Sequence, residues 1–200
     1  MKKIIFCFSI ITILSCNKEQ VVKKDVFSSA LNVYYTNNNT HELDSLYLVL
    51  KKEINKKGLI NQYNKSNVAI AFMILKKYDD LALLLKNQEK LSYNDQLTLN
   101  LLNFIIDKKA GNLNKSYINQ NIKIIQDTLN KSKNDSLLYI DYFTMRMILN
   151  DYEKVEQEID SMQYTNKNFS DEFYNILLKE NLKEFRNDKK SEDLFINENR

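Results

Sequence analysis

Proline is absent from this chain, and glycine occurs only at Gly58 and Gly111. Those two residue types punctuate β-hairpins and irregular loops, so their scarcity leaves the chain free to be helical almost throughout. It also leaves too little glycine for a phosphate-cradling loop, and no G-x-S-x-G or H-E-x-x-H pattern occurs. Histidine is single, at His41, and cysteine is confined to Cys7 and Cys16. A zinc site needs several such ligands, so a metal site here would be carboxylate-only. A strong charge of one sign is missing as well. Of 29 basic residues, Lys2 and Lys3 lie just before the first apolar segment, and the remaining 27 face 26 acidic ones. That near balance argues against nucleic acid as a partner.

What the chain does have begins at its first residues. Lys2 and Lys3 precede an unbroken apolar stretch, Ile4 to Leu14, followed by Ser15 and Cys16. The layout is that of a secretory signal, and the stretch falls short of the roughly 20 apolar residues needed to span a bilayer. Ile13-Leu14-Ser15-Cys16 resembles the lipobox of bacterial lipoproteins, in which a small residue precedes the cysteine that is acylated. The resemblance implies cleavage after residue 15 and a lipid, palmitate included, on Cys16, which then serves as the membrane anchor. Cys7 would be removed, so no disulfide framework is possible. Asn17-Lys18-Glu19-Gln20 looks like the surface-export signal of Bacteroidetes lipoproteins, except that Gln20 stands where a second acid belongs. Outer-membrane attachment is expected, with the periplasmic and surface faces both open.

Residues 1–15 are thus read as signal peptide, 16–24 as lipidated cysteine and tether, and 25–197 as one helical-repeat domain. Apolar residues recur at helical spacing in successive segments: Leu43, Tyr47, Leu50, Ile54; Val68, Phe72, Leu75; Ile118, Ile122, Ile125, Leu129; Leu138, Tyr142, Met145, Leu149; Val155, Ile159, Met162; Leu178, Leu182, Phe185. Ser92 with Asp95, Asn134 or Asp135, and Ser170 read as helix starts, and Gly58 as following a helix end. About nine helices are predicted on these signals.

The segment Met73 to Leu81 matches Met147 to Val155. Leu43, Leu81, Ile118 and Val155 open four second helices at a nearly constant interval of about 37 residues. At these residues the chain resembles the tetratricopeptide repeat: Val68-Ala69-x-x-Phe72 and Leu81-x-x-x-Leu85 follow its pattern, and the turns before Tyr78 and Tyr152 resemble its G-D-Y-x-E-A. Phe143 fills a position that is small in the family, and the turn around Lys108 to Asn112 is enlarged. The resemblance implies an all-α fold of stacked antiparallel helical hairpins, a degenerate right-handed solenoid.

No catalytic residues, metal or cofactor are assigned. Thr40 is expected to cap a helix and leave His41 facing water. Asp79-Asp80, Asp151 with Glu153, Glu156 with Glu158 and Asp160, and Asp171-Glu172 fall in turns or first helical turns, where the helix dipole favours negative charge. Most aromatics, among them Tyr34, Tyr47, Phe72, Tyr142 and Phe185, fall on the core stripes.

Two first helices carry more than one apolar stripe. Ile70, Met73 and Ile74, with Ile140, Met147 and Ile148, are expected either to be buried between hairpins or to line a concave groove. In a groove, Asn67, Asp141 and Thr144 would supply polar contacts. The functional expectation is a non-enzymatic, membrane-anchored lipoprotein of the cell envelope that binds a protein or peptide. Alternatives are an immunity-type lipoprotein capturing a toxin or hydrolase, and an envelope-assembly scaffold.

Overall fold

The computed structural model describes residues 25–150 and 152–188. The expected signal peptide, Cys16, the tether, Asp151 and residues 189–197 lie outside the described residues. Among those described the chain is helical and contains no strand. Nine α-helices follow one another: α1 Val26–Asn37, α2 His41–Lys51, α3 Lys65–Ile74, α4 Tyr78–Lys86, α5 Tyr93–Lys109, α6 Ser116–Leu129, α7 Ser136–Leu149, α8 Tyr152–Thr165 and α9 Asn181–Asn187. A 3₁₀ turn, Leu59–Gln62, precedes α3, and a π-helical segment, Phe173–Glu180, leads into α9.

Asparagine, aspartate and serine do the work that glycine and proline do elsewhere. Asp25 caps α1 by accepting from the Ser28 amide at 3.2 Å, and Asn64 caps α3 from the Asn67 amide at 3.2 Å. Asp135 accepts from the amides of Leu137 and Leu138 at 3.0 and 3.3 Å. Ser92 and Asp95 form the reciprocal capping box, at 3.1 and 3.2 Å, and Ser170 accepts from the Phe173 amide. Before α2 the expected cap is corrected: the Thr40 hydroxyl donates to Asp44, and Asn39 takes the His41 amide at 2.9 Å. At the end of α1, Asn38 adopts φ 52° and its amide returns to the Tyr34 carbonyl, a left-handed cap without glycine.

Packing divides the chain into two compact units, with the boundary between Ile106 and Asp107. In the first, α1 packs on α2 and on α3, and α3 packs on α4. Phe27, Leu31, Leu43, Tyr47, Leu50, Val68, Phe72, Leu81 and Leu85 are buried. Helix α5 is apolar and buried around most of its circumference from Leu97 to Ile105, which marks an interior helix.

In the second unit α7 is the central element, touching α6, α8, the π-helical segment and α9. Ile118, Ile122, Ile125, Leu138, Met145, Val155, Ile159, Leu178, Leu182 and Phe185 are buried, while Leu129, Tyr142, Leu149 and Met162 are half-buried. A π-helix has more residues per turn than an α-helix. Its winding lets Phe173 and Leu178, five apart, turn inward together. Phe169 stacks on Phe173 at 4.4 Å between ring centres and meets Tyr139 edge-on, while the Tyr174 hydroxyl donates to the Asn166 carbonyl at 2.7 Å.

The residues that mark the sequence period, Leu43, Leu81, Ile118 and Val155, are each 0% exposed.

Candidate functional site

Asn67, Ile70, Met73 and Ile74 all lie on α3 and are half-buried. Val68, Ala69, Ala71 and Phe72 fill the core face of the same helix. The residues left over form a second stripe that is partly open to solvent. Asn67 is not a free contact: its side-chain amide donates to the Asp25 carboxylate, joining the start of α3 to the start of α1.

The matching residues of α7 have a different fate. Asp141, Thr144, Met147 and Ile148 are 8, 6, 0 and 4% exposed, and Ile140 is half-buried. These four are core and present no groove wall, because α7 is covered by four partner elements of its own unit. The Thr144 hydroxyl turns back to the Ile140 carbonyl at 2.8 Å, which satisfies it within the helix. Burial and the nearby Asp135 push the Asp141 carboxyl up to about 7. Asn121 to Met145 and Gln126 to Tyr142 set the antiparallel register of α6 and α7, and place Asp141 near the level of Ile125.

Two polar clusters knit the first unit together. The Tyr47 hydroxyl donates to Asp80 at 2.7 Å, Lys51 donates to both Asp80 oxygens at 2.8 and 2.6 Å, and Lys77 lies over the Tyr47 ring. Burial pushes the Asp80 carboxyl up, but the hydrogen bonds from Lys51 and Tyr47 and the lysine charges outweigh it, so the group sits below its ordinary value. In the second cluster Lys65 donates to Gln88 and, at 3.2 Å, to the buried Asp95. Each carboxylate already has a cation and further donors, so both clusters tie elements together and neither presents a free acid or base.

His41 is exposed at the start of α2, as expected, and is alone there. Among the described residues no group of three histidine, cysteine, aspartate or glutamate side chains could hold a metal ion, and no helix is long and apolar enough to cross a membrane. A surface depression is lined by Lys131 to Leu137, consecutive residues of the turn between α6 and α7. It is the inside of one turn, open to solvent, with no convergent side chains from other elements.

Sequence reasoning passed over Leu48 and Val49, 58 and 60% exposed on the outer face of α2. Their signal is present: with Ser45 and Lys52 they occupy the face opposite Leu43, Tyr47 and Leu50. Comparison with family models, curated proteins and solved structures finds no match to this chain.

Proposed function

We propose that this chain is a lipid-anchored, non-enzymatic module of the bacterial cell envelope. In this reading its helical hairpins, stacked as in tetratricopeptide repeats, bind a protein or peptide at the outer membrane. The observation that carries the reading is the order of the first sixteen residues: two lysines after Met1, the eleven-residue stretch Ile4 to Leu14, then Ser15-Cys16. An acylated Cys16 fixes the domain at a membrane without a spanning helix.

The repeat architecture draws support from the four fully buried period residues and from the packing of α1 on both α2 and α3. It draws further support from the turn between α3 and α4. Lys76 adopts φ 56° where the family pattern carries glycine, and the Lys77 amide reaches back to the Phe72 carbonyl at 2.8 Å. The binding surface is then the open stripe of α3, Ile70, Met73 and Ile74, with the α7 residues serving as core.

Mass spectrometry of the N-terminal peptide tests the anchor. Acyl chains on Cys16, lost together with membrane fractionation in Cys16→Ser, are the expected result; an unmodified cysteine sinks the reading. A photo-reactive residue at Ile70 or Ile74 in cells is expected to give a discrete crosslinked protein. Silence at both positions, with the lipid in place, removes the binding role.

A further inference from the structure

One end of the first unit gathers four segments that are far apart in sequence. The Gly58 amide donates to the Asn87 carbonyl at 3.0 Å, and the Asn87 side chain donates to the Ile54 carbonyl at 3.1 Å. These bonds bring the end of α2 to the end of α4. Lys65 reaches Gln88, and Asn67 reaches Asp25, which adds the start of α3 and the point where the described chain begins.

This end is basic. It carries the exposed lysines Lys52, Lys56, Lys57, Lys86 and Lys90, against the exposed Glu53 and Glu89 and the half-buried Asp25. Among the described residues, Lys56 is the one of these five with an ion pair, to Glu53 at 3.6 Å between two largely exposed side chains, while Lys65 is neutralised by Asp95. The opposite end, at the starts of α2 and α4, carries Glu42, Asp44 and Asp79 beside Lys76 and Lys77, while Asp80 is held between the two ends by Lys51. Lysines in a last helical turn are ordinarily explained by the helix dipole. Lys57 and Lys90 lie outside any helix, so the dipole does not account for them.

Asp25, where the described chain begins, lies at this basic end. On the lipid-anchor reading, on which this inference rests, nine residues from Cys16 to Lys24 separate the acyl chains from Asp25. Fully extended they reach about 30 Å. We propose that the lysine-bearing end of the first unit docks on the anionic lipid surface to which Cys16 is anchored, with its ammonium groups over lipid phosphates. The anchor then does more than tether: it orients the unit, directing the acidic ends of α2 and α4 away from the bilayer.

Each lysine near an anionic bilayer strengthens association by roughly a factor of five, over a distance of about one Debye length. The test reconstitutes the acylated protein in phosphatidylcholine vesicles with and without phosphatidylglycerol, and follows amine labelling of each lysine by mass spectrometry. Lys52, Lys56, Lys57, Lys86 and Lys90 should label several-fold more slowly in the anionic vesicles. High salt should restore their rates, and Lys76 at the far end should not change. Equal rates in both vesicles, protection of Lys76 to the same degree, or protection that ignores salt and lipid charge, as a protein contact would give, overturns the proposal.

A second arm uses the mature chain with Cys16→Ser, so that no acyl chain contributes. At low salt it should sediment with phosphatidylglycerol vesicles, and Lys52→Glu, Lys56→Glu and Lys57→Glu combined should weaken this at least tenfold with the circular dichroism spectrum unchanged. No sedimentation, or no effect of the charge reversals, counts against the docking surface. This arm decides the matter even if the N-terminal peptide shows no acylation, which would sink the anchor reading alone.

Discussion

Helices α3 and α7 occupy matching positions in the internal repeat, 74 residues apart, so that Asn67 corresponds to Asp141, Ile70 to Thr144, Met73 to Met147 and Ile74 to Ile148. On α3 this stripe is half-buried, and on α7 it is buried. The polar member differs too. Asn67 has the Asp25 carboxylate as its acceptor, whereas burial and a like charge act on Asp141. Within their own units α3 meets α1, α4 and the 3₁₀ turn, and α7 meets α6, α8, the π-helical segment and α9. The lesson is that a repeat fixes which residues point the same way, while the number of covering elements decides whether they are core or surface.

Truncation should separate the two helices most clearly. Met147→Ala is expected to cost about 3 kcal/mol, the usual range for a methionine deleted from a packed core, and Met73→Ala about 1 kcal/mol because its site is already open to water. Urea denaturation of both variants checks this; equal losses would break the comparison.

The polar pair gives the next largest effect and a pH signature. The Asp141 carboxyl is raised from 3.8 to about 7 in the folded chain, so it stays protonated there while the unfolded chain has already lost its proton. Below the unfolded value both states are protonated and there is no penalty. Between the two values stability falls as pH rises, and above about 7 the penalty is complete. Asp141→Asn should therefore stabilise the fold at pH 8 by on the order of 2–3 kcal/mol and by little at pH 4, measured as the shift in urea midpoint. The α3 counterpart should move the other way: Asn67→Ala loses the bond to Asp25 and is expected to cost about 1 kcal/mol.

The turns that follow the two helices sharpen the contrast at the smallest scale. Lys76 holds φ 56°, a conformation that costs a side-chain-bearing residue roughly 1 kcal/mol, so Lys76→Gly should raise stability by up to about that amount. Asn150 has an extended backbone, φ −128°, and its side chain donates to the Arg146 carbonyl at 2.9 Å. Asn150→Gly should lower stability by about 0.5–1 kcal/mol. Thermal melts of the two variants moving in the same direction would show that the turns are more alike than their backbones suggest.

Much of the helix pattern was legible because apolar spacing and capping chemistry are local. Ser92 with Asp95, Asn134 or Asp135, and Ser170 were readable as starts, with Asp135 the one that caps, and the stripes through Leu43, Val68, Ile118 and Val155 as cores. Thr40 does not cap because its hydroxyl donates to the Asp44 carboxylate and its own backbone is already helical, at φ −91° and ψ −3°. The candidate groove was legible only as a set of surplus apolar residues, since nothing along a single helix tells how many neighbours will cover it. Leu48 and Val49 escaped notice for the converse reason: two apolar residues on an outer face look like core until the partner is known to lie on the other side.

By itself the sequence determined the helical class and the approximate helix ends. Each follows from residue spacing along the chain or from side chains acting on their own backbone within a turn. Only the tertiary structure decided which surplus residues are buried, that Asp141 lies in the interior while Asn67 finds Asp25, and that lysines from two helix ends and a loop share one end of the first unit. Those outcomes depend on contacts between residues dozens of positions apart, where burial and charge are summed over neighbours that no local pattern specifies.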